Sequence, residues 1–87
     1  MFNKRLRALR MRDAYTQQKI AEMLGATLNS YQKYEQAERT PSFGTLVRIA
    51  DIFNVPTDFL LGRDDYLRSL GVSVDEFLAS PPNRPIS

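Results

Sequence analysis

The sequence predicts an all-α domain, and three observations carry the prediction. Capping residues recur just ahead of runs in which apolar side chains return every three or four positions, and Gly or Asn closes several of those runs. Nowhere does alternating apolar patterning meet an Asn-Gly or Asp-Gly hairpin turn. A chain of 87 residues has room for one small core, since separate cores arise at several times this length.

The first helix is expected over about residues 3 to 13, with Asn3 as its N-cap and Leu6 and Leu9 on the buried side. Five basic residues crowd it: Lys4, Arg5, Arg7, Arg10 and Arg12. Thr16 caps a second helix through Leu24, where Ile20, Ala21 and Leu24 repeat at helical spacing and Gly25 ends the run. Only two residues later Thr27 caps a third helix through about Gln36, with Tyr31 and Tyr34 on one face. Thr40-Pro41-Ser42 breaks the chain, and Ser42 caps a fourth helix whose expected buried stripe is Phe43, Leu46, Val47, Ala50 and Phe53. Asn54 closes it in the left-handed conformation, and Pro56-Thr57 opens a short fifth helix that ends at Gly62. The compact domain is therefore placed at 1–62. Residues 63–80 form a short helical C-terminal extension with two apolar clusters and Ser73 as a cap, and 81–87 form a flexible tail.

Composition narrows the chemistry. There is no Cys and no His, which leaves no disulfide frame, no ordinary zinc site, no common catalytic triad and no side chain that titrates unperturbed near neutral pH. Asp64-Asp65 and Asp75-Glu76 lack further ligands or a nucleophilic partner, and no phosphate-cradling glycine pattern occurs. The expectation is a non-enzyme without metal or cofactor. No apolar run approaches a membrane span and no signal-peptide stretch follows Met1, so a cytoplasmic protein without membrane attachment is expected. The net charge of +2 conceals an asymmetry: residues 1–48 hold 9 Lys/Arg against 4 Asp/Glu, whereas 49–87 hold 3 against 6. A basic first half suits a polyanion such as nucleic acid.

Thr16-Gln17 through Tyr34-Glu35 reads as helix, glycine turn, helix. Small Ala21 suits a close crossing, Gly25 accepts positive φ, and Tyr31 and Tyr34 anchor the second helix. With Leu24-Gly25, Lys33-Tyr34-Glu35, Pro41-Ser42 and Asp58-Phe59-Leu60-Leu61-Gly62 in register, residues 3 to 62 resemble the phage-repressor and Cro-like helix-turn-helix family, often called XRE-type. The resemblance implies a five-helix, lambda-repressor-like domain whose third helix lies in the DNA major groove while the second spans the backbone. The family pattern is departed from in two places: Ala37 and Glu38 occupy a loop that is often Gly-rich and basic in relatives, and Leu28 stands at a commonly polar site.

On that resemblance the expected function is a sequence-specific transcriptional regulator, a repressor that binds a two-fold operator as a homodimer. The alternative on the same fold is a protein-interaction module with an antitoxin-like or antirepressor partner. Base reading falls to Leu28, Asn29, Gln32 and Lys33, because Tyr31 and Tyr34 turn the other face inward. Gln17, Arg5, Thr27, Ser30, Arg39 and Thr40 are expected on the DNA backbone, and Arg10 and Glu35 stand where relatives form a structural ion pair. The apolar residues Tyr66, Leu67, Leu70, Val74, Phe77 and Leu78 are the expected dimer contact.

Overall fold

The computed structural model describes residues 1–79; the expected flexible tail, 81–87, lies outside the described residues. Six α-helices follow one another: α1 (Phe2–Arg12), α2 (Gln17–Leu24), α3 (Leu28–Glu35), α4 (Phe43–Phe53), α5 (Thr57–Leu60) and α6 (Asp64–Ser69), and a 3-10 turn at Val74–Leu78 comes last. No strand occurs among the described residues.

The local rules that start and stop these helices act at the expected places. Thr16, Thr27 and Ser42 each accept a hydrogen bond at the side-chain oxygen from the backbone N–H three residues on, at 3.0, 3.1 and 3.2 Å. Each bond satisfies one of the four N–H groups that a helix start leaves without an internal partner. Gly25 (φ 68°) and Asn54 (φ 54°) close α2 and α4 in the left-handed region. Two expected caps do not form. The carbonyl of Met1 accepts from the Arg5 N–H at 3.1 Å, so α1 begins at Phe2 and Asn3 lies inside its first turn. Ser73 makes no side-chain cap bond.

One core joins all six helices: Leu6 and Leu9 of α1, Ile20, Ala21 and Leu24 of α2, Tyr31 and Tyr34 of α3, Leu46, Ile49, Ala50 and Phe53 of α4, Val55, Phe59 and Leu60 around α5, and Leu67 of α6. The α4 stripe departs from expectation. Phe43 is 88 % exposed and Val47 50 % exposed, while Ile49 is fully buried. At 100° per residue the face through Leu46, Ile49, Ala50 and Phe53 is centred on the core, and Val47 falls beyond its edge. Phe43 sits in the first turn, one turn outside the apolar layer.

The C-terminal extension packs on this core. Leu67 is 3 % exposed, and the Phe77 ring lies 4.9 Å from that of Phe59. Val74 is partly buried against the same cluster. Three of the six expected dimer residues, Leu67, Val74 and Phe77, are therefore engaged within their own chain. Two arginines of α1 fasten the extension. Arg5 makes a two-point pair with Asp64 at 2.7 Å each and donates to the Phe59 carbonyl at 2.6 Å. Arg12 donates to the carbonyls of Phe77 at 2.5 Å and Phe53 at 2.9 Å. Tyr66, Leu70 and Leu78 remain exposed.

Candidate nucleic-acid interface

α2 and α3 are joined by Gly25 and Ala26 ahead of the cap Thr27, and the two helices pack closely on each other. Gly25 takes φ 68°, a conformation in which a Cβ is strained, so the turn selects glycine even though open space surrounds it. Ala21, fully buried, lets the helices approach.

α3 has two chemically distinct faces. Tyr31 and Tyr34 are buried and meet edge to face, with ring centroids 6.4 Å apart. On the opposite side of the helix, Leu28, Asn29, Gln32 and Lys33 share the outward face, Asn29 exposed and the others half-buried. The side chains of Asn29 and Lys33 have no hydrogen-bond or ion-pair partner among the described residues. The structure thus brings the four expected base readers onto one face held in place by its opposite.

Behind that face lies a connected polar chain. Arg10 Nε donates to Glu35 Oε2 at 2.7 Å and its Nη2 to Oε1 at 3.2 Å, while Nη1 donates to the Tyr15 carbonyl at 3.0 Å. The Tyr31 hydroxyl, one turn before Glu35 on α3, also donates to Oε2. Gln17 Nε2 donates to Glu35 Oε1 at 3.1 Å, and Gln32 Nε2 donates to Gln17 Oε1 at 3.1 Å. Burial disfavours the charge on Glu35, but hydrogen bonds from Arg10, Tyr31 and Gln17 outweigh it and hold the carboxyl below the ordinary range. The same pair raises the pKa of Arg10 through its bond to Glu35, and burial followed by the Glu35 contact pushes Tyr31 up. Sequence reasoning had Gln17 only on the DNA backbone and Tyr31 only as a core anchor; the i, i+4 spacing of Tyr31 and Glu35 was the available signal for the bond between them.

The flanking groups divide. Thr27 and Ser30 stand at the start of α3, where the Thr27 hydroxyl donates to Ser30 Oγ at 3.0 Å and Arg39 Nη1 reaches the same oxygen at 3.4 Å. Arg39 and Thr40 are exposed. Arg5 is elsewhere: its guanidinium is bound to Asp64 and stacked 4.3 Å over the Phe59 ring, so the expected backbone contact is replaced by an internal one. Arg7, exposed and without a partner among the described residues, lines a shallow polar hollow with Arg10, Gln17, Glu35 and Gln36. Its place one turn before Arg10 was the signal for it.

The acidic pair Asp64-Asp65 has an ordinary structural role. Asp64 holds Arg5, which lowers its pKa, and Asp65 meets Arg68 three residues on. Among the described residues no group of three acidic side chains is placed to hold a metal ion, and no helix is long and apolar enough to cross a membrane.

A helix-turn-helix family model matches residues 6–60. The chain is 40 % identical over 62 residues to the HTH-type transcriptional regulator ImmR of Bacillus subtilis (strain 168), covering 71 % of this chain and 49 % of that protein. It is 43 % identical over 61 residues to the SPbeta prophage-derived HTH-type transcriptional regulator YonR of the same organism, covering 70 % of this chain and 56 % of that protein. It is also 44 % identical over 48 residues to the cryptic phage CTXphi transcriptional repressor RstR of Vibrio cholerae, covering 55 % of this chain and 43 % of that protein. The matched stretch thus spans about half the length of these relatives. No solved structure gives a significant match. The family match covers more than half of the chain and coincides with the helix, glycine turn and helix described above, and on that ground the chain belongs to the XRE-type helix-turn-helix family.

Proposed function

We propose that the protein is a sequence-specific DNA-binding transcriptional regulator, acting as a repressor, that binds a two-fold operator as a homodimer with α3 in the major groove. The observation that carries this reading is the outward face of α3, where Leu28, Asn29, Gln32 and Lys33 stand together while Tyr31 and Tyr34 fix the opposite face in the core. Asn and Gln suit the adenine N6/N7 edge, Lys suits guanine O6/N7, and Leu suits a thymine methyl. Phosphate contacts fall to Thr27, Ser30, Arg39 and Thr40, to the second Nε2 hydrogen of Gln17 and the backbone N–H groups beside it, and to Arg7 in place of Arg5. The names of ImmR and YonR as transcriptional regulators, and of RstR as a repressor, support the reading.

A single recognition helix rarely supplies the roughly 4–10 kcal/mol by which specific binding exceeds nonspecific binding, and a two-fold pair doubles the contacts. Half-sites about 10 bp apart, one turn of duplex, or a multiple of that, are expected. Tyr66, Leu70 and Leu78 are the exposed apolar residues of the extension available for the dimer contact.

The test is selection of bound duplexes from a random library, with the complex sized and its salt dependence measured. A near-palindromic site, a dimeric complex and an affinity that falls with salt by about 0.9 log units per log unit for each phosphate contacted support the proposal. Unchanged site preference in both Gln32→Ala and Lys33→Ala rules out α3 as the reader. Salt-insensitive binding to a protein partner, with no duplex retained, points instead to an interaction module on this fold.

A further inference from the structure

An aromatic and a glycine stand side by side at the start of α4, and the fold requires neither. Phe43 is 88 % exposed and makes no ring contact among the described residues. Gly44 follows it in ordinary helical backbone rather than at positive φ, and a Cβ built there meets nothing within 4 Å. Glycine weakens a helix, and it is favoured where bare backbone must let another molecule come close. Val47, 50 % exposed and one turn on, continues the same face.

Charge decides what can approach that face. From Arg39 to Ala50 the chain holds no acidic residue, and Arg48, exposed and without a hydrogen-bond or ion-pair partner among the described residues, lies one turn beyond Gly44. Glu38 and Asp51 bound the stretch at either end. A second copy seated here would set two faces of the same sign together, whereas a phosphate backbone meets this charge favourably. Position agrees with charge. Arg39 reaches Ser30 in the first turn of α3 at 3.4 Å, and the four residues from Arg39 to Phe43 span at most about 14 Å. With α3 in the major groove, Phe43 therefore stands over the strand that walls that groove or at the minor groove beyond it, which is about 6 Å wide.

We propose that Phe43 is an apolar wedge: its ring enters the minor groove beside the half-site read by α3 and leans between two neighbouring base pairs, while Gly44 lets the sugar edge close up and Val47 packs on it. Apolar side chains that part a base step in this way kink the duplex by about 20–90°. The kink falls most easily at pyrimidine–purine steps, TA or CA/TG, so Phe43 adds a sequence preference where no side chain hydrogen-bonds a base. The inference rests on the major-groove placement of α3 and adds to it a second, apolar contact and a bent operator.

The experiment measures duplex bending, by gel mobility of circularly permuted fragments carrying the selected site, for the wild type, Phe43→Ala and Gly44→Leu, with thermal unfolding and solution mass of each free protein. The wild type is expected to bend the site by about 20° or more per half-site and to select a TA or CA/TG step at a fixed distance from the bases read by α3. Phe43→Ala is expected to bind roughly tenfold more weakly, to leave the duplex straight and to lose the step preference, with its unfolding midpoint unchanged. Gly44→Leu is expected to hold or raise the unfolding midpoint, since leucine favours helix, while it loses affinity and bend. An unbent wild-type complex, or a bend that survives Phe43→Ala, overturns the wedge; α3 remains the reader as long as Gln32→Ala or Lys33→Ala shifts base preference. A fall in the mass of free Phe43→Ala from dimer to monomer makes this face a contact between copies and overturns the wedge as well.

Discussion

Arg10 and Glu35, 25 residues apart, face each other through two hydrogen bonds, Nε to Oε2 at 2.7 Å and Nη2 to Oε1 at 3.2 Å, with side chains only 15 % and 5 % exposed. The pair ties α1 to the end of α3 and, through the Tyr15 carbonyl, to the turn before α2. Removing one partner strands the other in a poorly hydrated site, which costs about 3–5 kcal/mol. Arg10→Met and Glu35→Gln should each show a large loss in urea unfolding, and the double variant should lose much less than their sum. Additive losses in the double-mutant cycle would mean that the two groups act independently.

Acid should unfold the protein partly through the same carboxylate. The Glu35 pKa is depressed in the folded chain, so the stability it contributes is present above its ordinary value near 4.5 and disappears as the pH falls through the lowered value. Thermal midpoints measured from pH 6 downward, a range of about four units, should fall below about pH 4.5, and the acid slope should be shallower in Glu35→Gln. Asp64, lowered by its bond from Arg5, acts in the same direction. An identical slope in wild type and Glu35→Gln would remove Glu35 from the account.

Ala14 and Ala37 sit at φ 58° and 61°, in the left-handed region that a Cβ disfavours. That conformation costs an L-residue roughly 1–2 kcal/mol, and the extra unfolded-chain entropy of glycine takes back part of the gain. Ala14→Gly and Ala37→Gly should therefore each stabilise by about 0.5–1 kcal/mol. A rise of a few degrees in thermal midpoint is the readout; a fall in both variants would show that the strain is relieved by other means.

The extension should behave as part of the core. Leu67→Ala removes a side chain that is fully enclosed and should cost about 2–5 kcal/mol in denaturant unfolding. Truncation after residue 62 also removes Asp64 and Phe77 and should destabilise more. Such a truncation confounds folding with assembly, so the dimer contact is better tested by Leu70→Asp and Tyr66→Ala, both at exposed positions. Those variants should keep the unfolding free energy and shift the mass in solution toward monomer; an unchanged mass would exclude this surface as the contact.

Local chemistry was legible in the sequence at most of the positions where one residue decides the backbone, Asn3 and Ser73 being the expected caps that do not form. Thr16, Thr27 and Ser42 announce helix starts through their hydroxyls, and Gly25 and Asn54 announce ends through positive φ, because each acts on groups within three or four residues of itself. The inward and outward faces of α3 followed from Tyr31 and Tyr34 for the same reason. What the sequence could not decide was which long side chains would be used at a distance. Arg5 and Arg7 are neighbours of equal charge on α1; only the packing of α5 and α6 brings Phe59 and Asp64 to Arg5 and leaves Arg7 facing solvent. Phe43, Val47 and Leu67 are all apolar, yet the first two are exposed and the third enclosed, because burial depends on which part of each helix, around and along its axis, its neighbours cover. The Gln32–Gln17–Glu35 chain likewise joins three positions whose amides and carboxylate meet only when α2 crosses α3, so its direction belongs to the tertiary structure alone.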